Sequence, residues 1–466
     1  MSYYPISIQN VKKNVARKKR LYSRNDIALF SEKKDTYNNV KTISNEFGET
    51  LTRVDGNIPP DLEIKNGQRF LFISYDQSKY SHGIHKYPAK FFPELPRWLI
   101  QRYSKENDII LDPFTGSGTT NVEALLAKRN SIGIDVDPFS RFLSKVKTTP
   151  LDQYELDKYN EVLLENIIAF NPSSLHLSDI PSFPYRDNWF NEEILYELAF
   201  IRRLINTLDS NKEIKDFYQI CLSSIIRFVS NADNNCTRTV IRKKLNKSIY
   251  PSMALTKFAE MILINSFRIT DFTNNIKSNC FVELPEEQDA RNISYSNGYI
   301  DFAVTSPPYV NAVDYPRTHQ LEIYWLGIMN GSLTPLKKMH VGTESVSISD
   351  YKHLHKIGIP EIDKKLKSIY NIDQRRSFIA YKYLLDMNAN LSEVHKVLKK
   401  GSKYVVVVGN NTIRGIKFEN WKYLMSLAEL TGFKIRKYFG SEIIKHFIKV
   451  PREERINTDW VIVLEK

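Results

Sequence analysis

The chain has 466 residues, 42% of them hydrophobic, enough to bury two domain cores or one core with a large insertion. Lys and Arg number 66 against 53 Asp and Glu, a formal charge of +13 that favours a polyanionic partner, nucleic acid first. Cys221, Cys236 and Cys280 lie far apart, which excludes a disulfide framework or zinc knuckle and fits a reduced, cytoplasmic setting. No stretch approaches the roughly 18 apolar residues of a membrane span, and the N-terminal residues have no apolar signal core, so a soluble protein with no membrane partner is expected.

Residues 1–66 are polar and carry Lys12, Lys13, Arg17, Lys18, Lys19, Arg20 and Arg24 without an intervening acid. They read as a basic N-terminal arm, either touching phosphates or simply solvated. A first ordered part, 67–149, contains a strand at Leu71–Ile73 and a helix over Pro93–Tyr103, apolar at Leu95, Trp98 and Leu99. A strand at Ile109–Leu111 runs into a glycine bend, a helix over Asn121–Lys128 and a strand at Ser131–Ile134 closing on Asp135. That order is a right-handed βαβ unit, the opening of a doubly wound, mostly parallel α/β sheet, with ligands expected at the carboxyl ends of the strands.

Between 150 and 278 the strand pattern gives way to amphipathic helices, Tyr154–Ile168, Glu192–Leu208, Lys215–Val229 and Ala254–Phe267, which read as a helical insertion. Its basic stretch Arg238, Arg242, Lys243, Lys244 and Lys247 suits phosphate contacts, or a solvated helix face. Strands resume in a second part, 279–466, at Asp301–Val304 and Tyr404–Val408, with a hairpin of Lys434–Phe439 against Trp460–Leu464.

The bend is Asp112, Pro113, Phe114, Thr115, Gly116, Ser117, Gly118, Thr119, Thr120. Glycines at 116 and 118 let the backbone turn sharply and approach a ligand with no Cβ in the way. No Lys follows the second glycine, which disfavours a phosphate loop, and a dinucleotide fingerprint would want a third glycine. Thr119 and Thr120 offer a cap for the helix that follows. Asp135, one strand later, is placed to accept from a ribose diol, with Asp137 as the fallback; the plainer reading is an acid that caps the next turn.

Downstream, Phe302, Ala303 and Val304 lead into Thr305, Ser306, Pro307, Pro308, Tyr309. An exocyclic amino nitrogen is a poor nucleophile because its lone pair is delocalised into the ring. Methylating it needs acceptors for its hydrogens, which the Ser306 hydroxyl and the Pro307 carbonyl supply. The two prolines fix that carbonyl, and Tyr309 offers a flat face for an extruded base. Ordinary turns also contain such a tetrapeptide.

Together these segments resemble the DNA amino-methyltransferases that make N4-methylcytosine or N6-methyladenine in restriction-modification systems. The resemblance covers roughly 70–140 and 280–466 and implies a seven-stranded methyltransferase sheet ending in an antiparallel pair. It implies S-adenosyl-L-methionine as cofactor, double-stranded DNA as substrate and a cognate restriction endonuclease as partner. The cofactor residues implied are Asp112, Phe114, Gly116, Ser117, Gly118, Thr119 and Asp135, with Asp289 accepting from the adenine amino group and His85–Phe91 beside the methionine end. Ser306 through Tyr309 match the catalytic motif, and serine in its first position is the form associated with cytosine N4 enzymes. The order differs from the family scheme, because the insertion precedes the Asp289 segment. Target recognition therefore falls to the insertion or to residues 311–395, where Asn311, Asp314, Tyr315, Arg317 and His319 are expected to shape the pocket rim. Adenine N6 or RNA amino-methylation, and a DNA-binding subunit without activity, are the competing readings. Pro60, Asp61, Glu63 and Lys65 superficially resemble metal-nuclease residues, but their spacing is too tight, and methylation needs no metal.

Overall fold

In the computed structural model, residues 6–7, 9–17, 39–44, 48–74, 76–172, 179–242, 247–310, 313–443 and 458–466 are described. Around the bend the strands are β4 (Ile109–Asp112) and β5 (Asn130–Gly133), joined by α2 (Thr119–Leu126) and preceded by α1 (Glu94–Tyr103). Further along come β6 (Val282–Glu283), β7 (Ile300–Thr305), β8 (Leu398–Gly409), β11 (Lys434–Glu442) and β12 (Thr458–Glu465). A separate two-stranded hairpin, β9 (Asn411–Ile413) with β10 (Ile416–Phe418), follows β8.

These seven strands lie side by side in the order β6-β5-β4-β7-β8-β12-β11. All are parallel except β12, which runs antiparallel to both β8 and β11. The central strands β4, β7, β8 and β12 are apolar at consecutive positions because both faces are buried. Ile110, Phe302, Val304, Val405, Val407, Val461 and Val463 pack on one face with Leu95, Trp98 and Leu99 of α1. The intervening Leu111, Ala303, Tyr404, Val406, Val408, Ile462 and Leu464 pack on the other. There they meet α9 (Gln374–Val397) and α10 (Asn420–Leu430), while α8 (Pro360–Tyr370) lies outside α9.

The arm reading fails for much of residues 1–66. Val40–Ser44 (β1) and Thr50–Asp55 (β2) form an antiparallel pair that, with β3 (Arg69–Ile73), extends the sheet to ten strands beyond β11. Leu51 and Val54 are buried, which two apolar residues within TLTRVD barely announce. Residues 9–17 are helical, with Val11 and Val15 buried and Lys12, Lys13 and Arg17 exposed. Lys18, Lys19, Arg20, Arg24, Lys243, Lys244 and Asn311 lie outside the described residues.

Residues 150–278 form the helices α4 (Gln153–Ile168), α5 (Glu192–Thr207), α6 (Lys212–Val229) and α7 (Met253–Asn275). Phe217 and Phe258 of this region share one core with Val122 and Leu125 of α2 and with Phe139 and Leu143 of α3 (Pro138–Thr148). Leu321 and Trp325, from beyond β7, join the same core. Among the described residues the apolar core of the insertion is therefore continuous with that of α2 and α3.

Candidate active site

The two sequence motifs meet at the carboxyl ends of adjacent strands. Asp112, at the end of β4, accepts from the Thr305 hydroxyl at the end of β7 (2.6 Å) and from the Phe114 N–H (3.1 Å). Burial pushes its carboxyl up to about 6.

The bend turns as its glycines allow, with φ of 48° at Gly116 and 74° at Gly118. A Cβ on Gly118 would stand 2.7 Å from the Ser144 hydroxyl, so the close pass of the bend over α3 also requires glycine. From α3, the Ser144 hydroxyl donates to the Gly116 carbonyl (3.0 Å), and the buried Lys147 amine donates to the Ser117 carbonyl. The predicted cap is corrected here: the residue capping α2 is Gly118, without a side-chain bond, and Thr119 and Thr120 are the first helical residues. The chain enters this helix through a left-handed residue, a conformation that β-branched threonine avoids.

Asp135 follows β5 and accepts from the Gly116 N–H (2.9 Å) and the Asp137 N–H (2.8 Å). Burial, and next the charge of Asp137, push it up to about 6. Asp137 instead caps α3 through the Phe139 N–H (2.8 Å) and lies 3.6 Å from His340 Nε2. Burial raises Asp137 and lowers His340, but their mutual attraction wins at both, leaving the acid below and the imidazole above its ordinary range.

One cavity collects Asp112, Phe114, Gly116, Ser117, Thr119 and Asp135 with Asp289, Ser306 and Pro308. Three sequence-predicted residues stand behind its wall. Gly118 packs on α3, Pro307 is buried, and the Tyr309 hydroxyl donates to Asp459 on β12 (2.7 Å). Asp289 is already engaged, accepting from Arg291 Nε (2.8 Å) and from the Arg291 backbone N–H (2.9 Å). Burial raises it, but Arg291 more than offsets this and holds it below the usual carboxylate range. A carboxylate has lone pairs for further donors.

Of the segment expected beside the methionine end, Tyr87, Ala89, Lys90 and Phe91 line the cavity, whereas His85 does not. Its ring bonds the Ser223 hydroxyl of α6 (3.0 Å) and the Lys86 carbonyl (2.9 Å), and burial pushes it down to about 4. Tyr87 stacks between Tyr315 and His319, at 5.6 and 5.0 Å between centroids. Tyr315 reaches the cavity, as the rim reading expected, and His319 is buried beneath it. Sequence reasoning missed Met339, His340 and Val341, which close the side above Asp135. No motif or periodicity marks that strap.

A family model described as DNA methylase matches residues 4–141. The Type II methyltransferase M.MvaI of Kocuria varians is 25% identical over 414 residues, 83% of this chain and 88% of the relative. M.BsoBI of Geobacillus stearothermophilus is 26% identical over 364 residues, 70% and 67% of the two chains. M.AvaI of Nostoc sp. is 25% identical over 412 residues, 79% and 82%.

The chain resembles the DNA amino-methyltransferases of restriction-modification type. Its cofactor is S-adenosylmethionine, which supplies an electrophilic methyl group on a sulfonium. The cavity of this methyltransferase fits that group. Gly116 lines the cavity without a side chain, and the carboxyl groups of Asp112 and Asp135 line it as acceptors for donors on the ligand. Among the described residues no cluster of His, Cys, Asp or Glu suits a metal ion, and no helix is long and apolar enough to cross a membrane.

Proposed function

We propose that this methyltransferase modifies the exocyclic N4 of cytosine within a specific DNA sequence, protecting that site from a cognate endonuclease. The observation that carries the reading is the shared cavity: Ser306 and Pro308 line it with Gly116 and Asp135, so an acceptor nitrogen at Ser306 faces the methyl donor.

In this reading Asp135 accepts from the ribose hydroxyls, Asp289 from the adenine amino group, and Gly116, Ser117 and Thr119 line the methionine side. Ser306 Oγ and the Pro307 carbonyl accept the hydrogens of the target amino group, favouring a pyramidal nitrogen whose lone pair points away from the ring. The extruded base has to extend past this cavity to stack on Tyr309, whose ring is anchored by the bond to Asp459. Extrusion costs a few kcal/mol, which stacking and the amino contacts offset. The amino proton leaves to solvent after attack, and no covalent enzyme intermediate is needed. Cytosine is favoured over adenine because serine in the first motif position is the form that the resemblance associates with cytosine N4 enzymes.

The test is to incubate the protein with S-adenosylmethionine and unmethylated genomic DNA, digest to nucleosides and measure N4-methylcytosine and N6-methyladenine by mass spectrometry. N4-methylcytosine from the parent and none from Ser306→Ala supports the assignment. N6-methyladenine would overturn the choice of base, and product from RNA alone would overturn the choice of polymer.

A further inference from the structure

A second cavity adjoins the first, sharing Tyr315, His340 and Val341 with it. Its charged lining is Arg238, Asp314, Arg317, Lys337 and Glu344. Both acids are neutralised locally: Asp314 pairs with Lys337 (3.1 Å) and Glu344 with Arg376 (2.6 Å). Arg238 and Arg317 are exposed and have no carboxylate partner among the described residues. Two uncompensated guanidiniums thus converge beside the mouth of the catalytic cavity.

Arg238 comes from the insertion and is held there by a built device. Residues 233–240 form a closed loop, the Asp233 N–H donating to the Val240 carbonyl (2.9 Å). One cation binds its backbone from within, and a second binds the backbone of the segment that leads into it. Arg227 donates to the carbonyls of Asp233 (2.9 Å), Thr237 (3.1 Å) and Arg238 (3.2 Å), and also to that of Cys236. Lys247 Nζ donates to the carbonyls of Arg227 (3.1 Å), Ser230 and Ala232 (2.9 Å). Across the cavity, the buried Thr239 hydroxyl donates to the Thr318 carbonyl (2.6 Å), tying the loop to the turn that carries Arg317.

A solvated basic face needs none of this scaffolding. Charged hydrogen bonds spent on fixing a loop whose own arginine stays unpaired indicate a preorganised anion site. We infer that Arg238 and Arg317 clamp the backbone phosphates flanking the target nucleotide, so that loop 233–240 positions the DNA strand at Ser306. The inference rests on the DNA reading above and deepens it. Guanidinium forks suit phosphate oxygens, and such contacts fix register without reading bases.

The full-length protein is assayed for methyl transfer to genomic DNA, with the KM for DNA measured across a salt series and the KM for S-adenosylmethionine measured alongside. The variants are Arg238→Ala, Arg317→Ala, their double, the charge-keeping Arg238→Lys, and Lys105→Ala, an exposed lysine at the opposite ends of the strands. Each arginine removed should raise the KM for DNA and reduce the logarithmic salt slope by about 1, since each phosphate contact releases about one counterion. The KM for S-adenosylmethionine should hold, Arg238→Lys should recover most of the slope, and Lys105→Ala should match the parent. A double variant with the parent's slope and KM for DNA, while the parent methylates DNA, overturns the clamp alone. A parent that methylates no DNA overturns the DNA reading and the clamp together.

Discussion

Gly118 answers two independent demands, a left-handed φ of 74° and a contact with Ser144 that leaves no room for a methyl group. Backbone strain of this kind costs about 1–3 kcal/mol at a non-glycine residue, before any displacement of α3. Gly118→Ala should therefore lower the melting temperature and weaken S-adenosylmethionine binding together, because Ser144 also holds the Gly116 carbonyl. Parent-like melting and titration curves would show that the bend tolerates a Cβ. Asp135 supplies a pH signature. Its folded pKa is raised to about 6, so its contribution to the stability of the ligand-free protein is full at low pH and is lost as pH rises through 6. Ligand affinity runs the other way, since ribose hydroxyls bond best to the charged carboxylate. Affinity should fall as pH drops below about 6, approaching tenfold per unit. Asp112 titrates in the same window, so the assignment depends on calorimetric titrations in which Asp135→Asn flattens the pH dependence.

The elements that carry the two motifs were legible because each is a short stretch ending at or near a residue of special chemistry, Ile109–Asp112 and Ile300–Thr305 being largely apolar as well. Ile109–Asp112 stops at the bend, Asn130–Gly133 just before Asp135, and Ile300–Thr305 at Ser306. Burial on both faces made these strands readable, and glycine and proline punctuation fixed their ends. The strands β1 and β2 escaped because an edge ribbon with one protected face needs few apolar residues. The strap at Met339–Val341 escaped because it is placed by tertiary packing alone. The edge strands make a testable difference. If 1–66 were a dispensable arm, deleting it would leave the fold intact. Instead Val54 packs with Phe70 and Phe72 in the core against α1, so removing 1–56 should strip β1 and β2 and uncover that core. The truncated protein should aggregate or melt well below the parent in scanning fluorimetry, and unchanged melting would restore the arm reading.

At the scale of the whole molecule, the reading of 150–278 as a helical insertion leaves open whether it folds as a unit. The shared core argues that it does not. Val122, Leu125, Phe139 and Leu143 flank the cofactor bend, and their apolar partners include Phe217 and Phe258 of the insertion. His85 reaches Ser223 from the segment beside the cofactor, and the Asn265 side chain on α7 donates to the Ile84 carbonyl (3.1 Å). Cooperativity follows contacts of this kind, because losing either partner leaves the other's apolar and polar groups uncovered. Calorimetry should show a single unfolding transition for the described sheet and insertion together. S-adenosylmethionine at 100 times its Kd adds about 2.7 kcal/mol to the folded state. With an unfolding entropy of about 2 cal/mol/K per residue, that raises the one transition by about 3 °C. Two transitions, with only one moved by the ligand, would mean that the insertion is an autonomous recognition domain. The coupling of loop 233–240 to the catalytic rim would then have to survive without a common core.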